Sequence, residues 1–266
     1  MISPLAHIHP QARLAAGVTV EPFTTIAADV EIGEGTWIGP NVTVMAGARI
    51  GAHCQIFPGA VIAGIPQDLK FAGETTTAEI GDYTVVRECV TVNRGTVDRH
   101  RTVVGRHCLL QAYVHVAHDC HIGDHCVVSN SVQIAGHVEV GNWAILGGTS
   151  AIHQFVRIGD HAFIGGGSLV RKDVPPFIKT GREPLTYVGV NSVGLHRRGF
   201  SEDAIGLIQQ CYRLLFQSGL NNSDALAQIE AELPAGPERD AVVGFVRGST
   251  RGVIRGNARG AKTAEE

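Results

Sequence analysis

The 266-residue chain has no run of 18 apolar residues, and its opening, Met1-Ile2-Ser3-Pro4, has neither a basic segment nor an apolar stretch behind it. Neither a membrane span nor a secretory leader is therefore expected, and the reading is a soluble, cytoplasmic protein without stable membrane insertion. Charge of one sign is also lacking. The balance is 22 Lys+Arg against 25 Asp+Glu, a net −3, which leaves no electrostatic footprint for nucleic acid. Six cysteines are present, yet no Cys-x-x-Cys pair, which argues against a zinc ribbon or a dithiol redox centre. Free thiols suit a reducing compartment.

What the chain does have is glycine, 33 of them, and a six-residue beat. Stepping by six from Ile8 meets Leu14, Val20, Ile26, Ile32, Ile38 and so on to Val170. Of the 28 stepped positions only Asp68, Glu74 and Asp98 are not aliphatic. The fifth position of the hexad is small, as at Ala48, Cys54, Ala60, Cys108, Cys120 and Cys126. One branched and one small residue per hexad fill a narrow triangular interior, the signature of a parallel β-helix. Most of the cysteines are thus packing residues; Cys89 and Cys211 lie elsewhere. Glycine often follows the aliphatic residue, as in Ile32-Gly33 and Ile122-Gly123, and is read as serving a sharp bend that needs unusual torsions. Three hexads make one coil, so residues 18 apart stack at about the 4.8 Å strand spacing. Likeness to known hexapeptide proteins makes the coil left-handed, an exception to the crossover rule. The expected fold is an all-β parallel left-handed β-helix with a small C-terminal α-helical domain.

The coil is expected over residues 1–190, with loop excursions near 64–78 and 93–102 that replace whole hexads. Loops thrown out from a rigid solenoid are common places for binding groups. Asp173-Val174-Pro175-Pro176 ends the beat, and proline, which removes ladder donors, is read as closing the last coil. A helical domain is expected over 191–256. Ser201 caps a first helix with Ile205, Ile208, Cys211, Tyr212 and Leu215 on one face. A second helix starts at Ser223-Asp224, and a third follows Pro237. Residues 257–266 read as a disordered tail.

Thirteen histidines invite a catalytic reading, but His53, His107, His125 and His161 recur at one hexad position and read as corner residues. His118 is different, because Asp119 follows it directly. The 18-residue stack places His118, Gly136 and Gln154 in one column, with Asp119 and His137 beside it and His115 and His153 close by. Imidazoles, one carboxylate, one amide and a bare glycine N–H then share one edge. No Ser or Cys nucleophile sits at the centre, so the group reads as a general base with donors around it, suited to direct acyl transfer. Solvated corner groups are the plain alternative. A zinc site like that of γ-class carbonic anhydrases, drawing on His115, His118, His121 and His137, is another; the expectation is no metal.

Several segments together carry a family resemblance: Gln67-Asp68-Leu69-Lys70-Phe71-Ala72-Gly73-Glu74, Arg94-Gly95-Thr96-Val97, His115-Val116-Ala117-His118-Asp119-Cys120, Ala135-Gly136-His137-Val138, His153-Gln154-Phe155, Gly189-Val190-Asn191 and Arg197-Arg198-Gly199-Phe200. Over nearly its whole length the chain resembles the bacterial UDP-N-acetylglucosamine O-acyltransferases, which act first in lipid A biosynthesis. The resemblance implies a homotrimer with sites in the clefts between subunits. In it His118 is the general base for the glucosamine 3-hydroxyl, Asp119 orients it, and the Gly136 N–H holds the oxyanion. Acyl carrier protein supplies an (R)-3-hydroxyacyl thioester, so no cofactor is expected. Asp68, Lys70, His115, His137 and His153 position acyl chain and sugar. Gln154, Asn191, Arg197 and Arg198 hold the nucleotide. Gly166, where the family sets acyl length, leaves the groove open for long donors. The chain departs from well-studied members at Asn93, where they carry histidine, at Val193, where they carry an acid, and at Gly181-Arg182-Glu183-Pro184, where they have a histidine-containing stretch. These departures bear on substrate contacts at the periphery. A non-enzymatic β-helix scaffold is the reading of another class.

Overall fold

The structure, a computed structural model, describes residues 1–256. Short strands, most of two residues, wind into three sheets of nine, eight and ten strands, parallel throughout except for the last strand, Thr186–Val190. Each strand pairs with the one a coil further on. His115 stands opposite Gln133, and Gln133 opposite Ala151, the expected step of 18. The excursions lengthen single coils without losing phase: Val61 pairs with Thr91 and Thr91 with His115. The stepped aliphatic residues point inward; Ile38, Ile56, Ile62, Leu110, Ile122 and Ile134 are fully buried. Burial of each such side chain stabilises by about 1.5–3 kcal/mol. The small hexad residues Cys54, Cys108, Cys120 and Cys126 complete that interior as free thiols. Threonine hydroxyls close the remaining corners: Thr24 Oγ1 donates to the Gly39 carbonyl at 2.7 Å and accepts the Val42 N–H at 3.1 Å.

The glycines after the aliphatic residue have a different cause from the one expected. Gly33 is not in the left-handed region. A Cβ on it would lie 2.5 Å from the backbone at Gly51 and Ala52 in the next coil, so the residue is small because the coils touch there. The left-handed torsions belong instead to the corner residues, with His53, His107, His125 and His161 at φ between +54° and +58°. Their rings stack up one corner with Tyr83, Trp143 and Phe177, for example His107 on His125 at 4.9 Å.

The prolines at 175 and 176 do not end the parallel sheet. Ile178–Gly181 adds one more parallel strand beside Phe163–Ile164, and Thr186–Val190 then folds back on it antiparallel. Four helices follow: α1 Ser192–Arg197, α2 Glu202–Gln217, α3 Asn222–Glu232 and α4 Pro237–Arg247. The Ser201 side chain accepts the Ala204 N–H to cap α2, and Ile205, Ile208, Cys211, Tyr212 and Leu215 are its buried face. Helix α3 begins at Asn222 with Asn221 as its cap, slightly earlier than expected. The chain then returns to the coil through single bridges at Val253 and Arg255. The buried Asp173 carboxylate joins the two parts, accepting from the Arg157 N–H and the Ser249 hydroxyl. Among the described residues no helix is long and apolar enough to cross a membrane. The expected tail, 257–266, lies outside the described residues.

Candidate active site

His118 and Asp119 occupy the corner between the strands His115–Val116 and His121–Ile122. Asp119 takes the left-handed torsion of that corner, φ +59°, and its side chain is fully buried. Its two oxygens are filled. Oδ2 lies 2.8 Å from His118 Nδ1 and accepts the Thr96 hydroxyl at 2.7 Å. Oδ1 accepts the backbone N–H groups of Thr96 at 2.9 Å and Arg99 at 3.2 Å. Burial opposes the charge, but the donors from Thr96, His118 and Arg99 outweigh it and hold the carboxyl below its ordinary range. An ionised Asp119 makes His118 Nδ1 the donor, and Nε2 is left as the basic atom.

Nε2 faces Gly136. A Cβ at Gly136 would come within 2.8 Å of Nε2 and 2.7 Å of Cε1, and its φ is not left-handed. Glycine is needed here to make room for the imidazole. Among the described residues no acceptor takes the Gly136 N–H. His137 packs edge-on against His118 with ring centres 5.1 Å apart, stacks on Phe155 at 4.5 Å, and lies 3.1 Å from the Asp98 carboxylate. Burial, with a smaller contribution from His118, lowers the pKa of His115, whose Nδ1 is 2.7 Å from the Thr91 hydroxyl.

The two excursions meet at this corner. A cavity of about 260 Å³ lies between Asp68, Lys70 and Glu74 on the first, Asp98 on the second, and His137 and Phe155. The three acids that break the hexad beat therefore line one cavity. Asn93 ties the loops together by donating to the Ile65 carbonyl at 3.1 Å. His153 and Gln154 stand one coil above Gly136, and His153 is 3.2 Å from the Arg251 guanidinium.

The remaining residues lie elsewhere on the chain. Asn191 is buried and donates to the His161 carbonyl at 3.0 Å. The Arg198 guanidinium lies over Trp143 at 5.3 Å, and burial lowers its pKa. Burial, aided by Arg198, pushes His161 down to about 4. This is the stacked-ring corner, and Arg197 is exposed beside it. Val193 is exposed on α1. Gly166 sits at the third corner; its φ is ordinary, and a Cβ there would meet the Gly148 carbonyl at 3.4 Å, a tolerable contact. Neither Thr96 nor Arg99 is assigned a role by the sequence: Thr96 is marked by the Arg94-Gly95-Thr96-Val97 segment and by its excursion, Arg99 by the excursion alone.

His118, Asp119 and His137 bring ligand atoms within 4.8 Å of one another, a spacing that could hold a cation. The Asp119 oxygens are already filled by donors, so a cation would have to displace them. A bare imidazole nitrogen backed by a buried carboxylate and facing a free N–H is equipped for proton transfer beside a developing oxyanion.

A hexapeptide-repeat coil carrying that corner defines the class, a hexapeptide-repeat acyltransferase. Comparison with known proteins carries this further. The bacterial transferase hexapeptide model matches residues 29–64 and 101–136, and the model for domain 2 of UDP-N-acetylglucosamine O-acyltransferase matches 173–254. An acyl-[acyl-carrier-protein]–UDP-N-acetylglucosamine O-acyltransferase of Trichlorobacter lovleyi is 52% identical over 250 residues, 92% of this chain and 96% of the relative. One of Chlorobium phaeobacteroides is 60% identical over 192 residues, 72% and 73% of the two chains. The crystal structure of the UDP-N-acetylglucosamine acyltransferase of Bacteroides fragilis superposes with a TM-score of 0.95 at 51% identity, covering 96% of this chain and all of that one. The chain belongs to the UDP-N-acetylglucosamine O-acyltransferase family.

Proposed function

We propose that the protein transfers an (R)-3-hydroxyacyl group from acyl carrier protein to the glucosamine 3-hydroxyl of UDP-N-acetylglucosamine, the first step of lipid A biosynthesis, in the cytoplasm and without a cofactor. The observation that carries the chemistry is the His118 imidazole, oriented by buried Asp119 with Nε2 beside Gly136. Nε2 takes the 3-hydroxyl proton as that oxygen attacks the thioester carbonyl. The Gly136 N–H donates to the oxyanion. Collapse breaks the carbon–sulfur bond, and the imidazolium returns the proton to the departing thiolate. The cavity between Asp68, Lys70 and His137 takes the sugar, with His115 and His153 flanking the acyl chain.

The nucleotide side is read across a subunit boundary. Asn191, Arg197 and Arg198 sit at a different corner from His118, so one chain does not assemble both halves of the site. A homotrimer in which the Arg198 corner of one subunit faces the His118 corner of the next completes it, with Gln154 contributing to the nucleotide contacts. Complementation tests this. Trimers of His118→Ala alone and of Arg198→Ala alone are expected to be nearly inactive. Random mixed trimers should recover roughly a quarter of the sites, since each intact site needs one subunit of each kind in the right order. Mixtures no more active than either parent would contradict the shared site.

A further inference from the structure

We infer that Thr96 is a positioning residue for the acyl transfer: its hydroxyl and backbone N–H clamp Asp119 and thereby set the orientation and basicity of His118. The inference rests on the acyl-transfer reading, and it assigns a role to a residue of the second excursion that the hexad register does not place at the site.

The structural case is specific. Asp119 has no exposed surface, so every oxygen lone pair it uses must be matched by protein. Three of its four short contacts come from residues 96–99: the Thr96 N–H at 2.9 Å, the Thr96 hydroxyl at 2.7 Å and the Arg99 N–H at 3.2 Å. The fourth is His118. Thr96 is itself buried. Its hydroxyl shares Oδ2 with His118 Nδ1, so it competes directly for the charge that the imidazole sees. From the other side, the Asp119 N–H donates to the Thr102 hydroxyl at 2.8 Å. Arg99 reinforces the clamp, reaching the Asp119 carbonyl with one guanidinium nitrogen at 3.4 Å and Glu139 with another at 2.8 Å. The charged and titratable groups facing His118 are therefore Asp119, His137 with Asp98 behind it, His115, and Arg99 paired to Glu139.

Two consequences follow, with opposite signs on different observables. The hydroxyl withdraws part of the Oδ2 charge from the imidazole, so its removal strengthens the His118–Asp119 interaction and favours the imidazolium over the neutral ring relative to wild type. Removal also leaves the carboxylate with one donor fewer and freer to rotate, which loosens the imidazole against Gly136 and lowers the rate of the chemical step. A residue that only stabilised the loop would do neither at a temperature where the variant is folded.

The test compares Thr96→Val, which keeps size and the backbone N–H, with Thr96→Ser, which keeps the hydroxyl. Transfer to UDP-N-acetylglucosamine is measured from a 3-hydroxyacyl carrier protein over a pH series, with melting temperatures in parallel. For Thr96→Val, kcat is expected to fall on the order of tenfold, the scale of one hydrogen bond to a charged group. KM should stay near wild type, and the acidic limb of kcat/KM should move to higher pH. Thr96→Ser should return both kcat and the limb towards wild type. A Thr96→Val enzyme with an unmoved limb and kcat within twofold, or a Thr96→Ser enzyme as impaired as Thr96→Val, would overturn the role. Loss of activity in wild type with UDP-N-acetylglucosamine would instead defeat the acyl-transfer reading beneath it.

Discussion

Replacing Gly136 with alanine tests the most closely packed contact of the site. The new Cβ would stand 2.7 Å from His118 Cε1 and 2.8 Å from Nε2. An ordinary carbon contact needs about 3.5 Å or more, so the ring must move by roughly 0.7 Å or tilt by an equivalent amount. It cannot move freely, since Nδ1 is bonded to a carboxylate that is itself held by Thr96 and Arg99. Nor is backbone strain added, because the torsion at Gly136 is not left-handed. The displaced atom is the one proposed to take the proton, and a misplacement on the order of 1 Å costs about 10²-fold in rate. The variant should therefore melt close to wild type yet lose about 10²-fold in kcat, measured as acyl transfer from 3-hydroxyacyl carrier protein at saturating UDP-N-acetylglucosamine. A folded Gly136→Ala protein with kcat within threefold of wild type would refute the placement of Nε2 against this residue.

Three further outcomes are expected. Asp119→Asn should lower kcat by 10³-fold or more, in keeping with the about 10⁴-fold cost of the same change in a serine-protease triad, and should destabilise by about 1–3 kcal/mol because a buried amide N–H₂ then faces the donors of Thr96 and Arg99; wild-type-like turnover would contradict the orienting role. His161, pushed down to about 4 in the fold against an ordinary 6.5, binds a proton in the unfolded chain first, so its contribution to stability is complete above about pH 6.5 and is lost as pH falls towards 4. After allowance for its partial exposure this is about 1 kcal/mol. The drop in Tm between pH 7 and pH 5 should thus be smaller in His161→Phe, a ring that Phe155 and Phe177 already carry at left-handed corners; equal drops would exclude it. Gly166→Met adds a side chain at an ordinary torsion, its Cβ in tolerable contact with the Gly148 carbonyl at 3.4 Å. Wild type should prefer donors on the order of 14 carbons or longer and the variant shorter ones, at about 0.8 kcal/mol per methylene lost from the groove; an unchanged ranking of kcat/KM across donor lengths would remove Gly166 from the acyl groove.

The coil was legible because its interior repeats. Outside the excursions, a residue that is inward at Ile26 is inward at every sixth step, and a stack of 18 carries His118 onto Gly136 and Gln154 without any structure. The same arithmetic fails where the register is interrupted. Thr96 reaches Asp119 across 23 residues because an excursion folds back over its own coil, and no period predicts that. Glycine was misread for a related reason. Gly33 looks like a turn residue in one dimension, whereas its neighbour in the next coil, invisible to a local reading, is what excludes a side chain. The strand Thr186–Val190 and helix α1 are too short to show a period of their own. The split between the His118 and Arg198 corners needed the structure, since sequence motifs do not say which corner they face.

The central claim is tested most directly by mass-spectrometric detection of product from the purified protein with UDP-N-acetylglucosamine and (R)-3-hydroxyacyl carrier protein, beside His118→Ala. Wild type should yield the 3-O-acylated sugar nucleotide, and the variant, still folded, should form it about 10²–10⁴-fold more slowly. No acylated sugar from wild type, or more than about half the wild-type kcat in the variant, would contradict it.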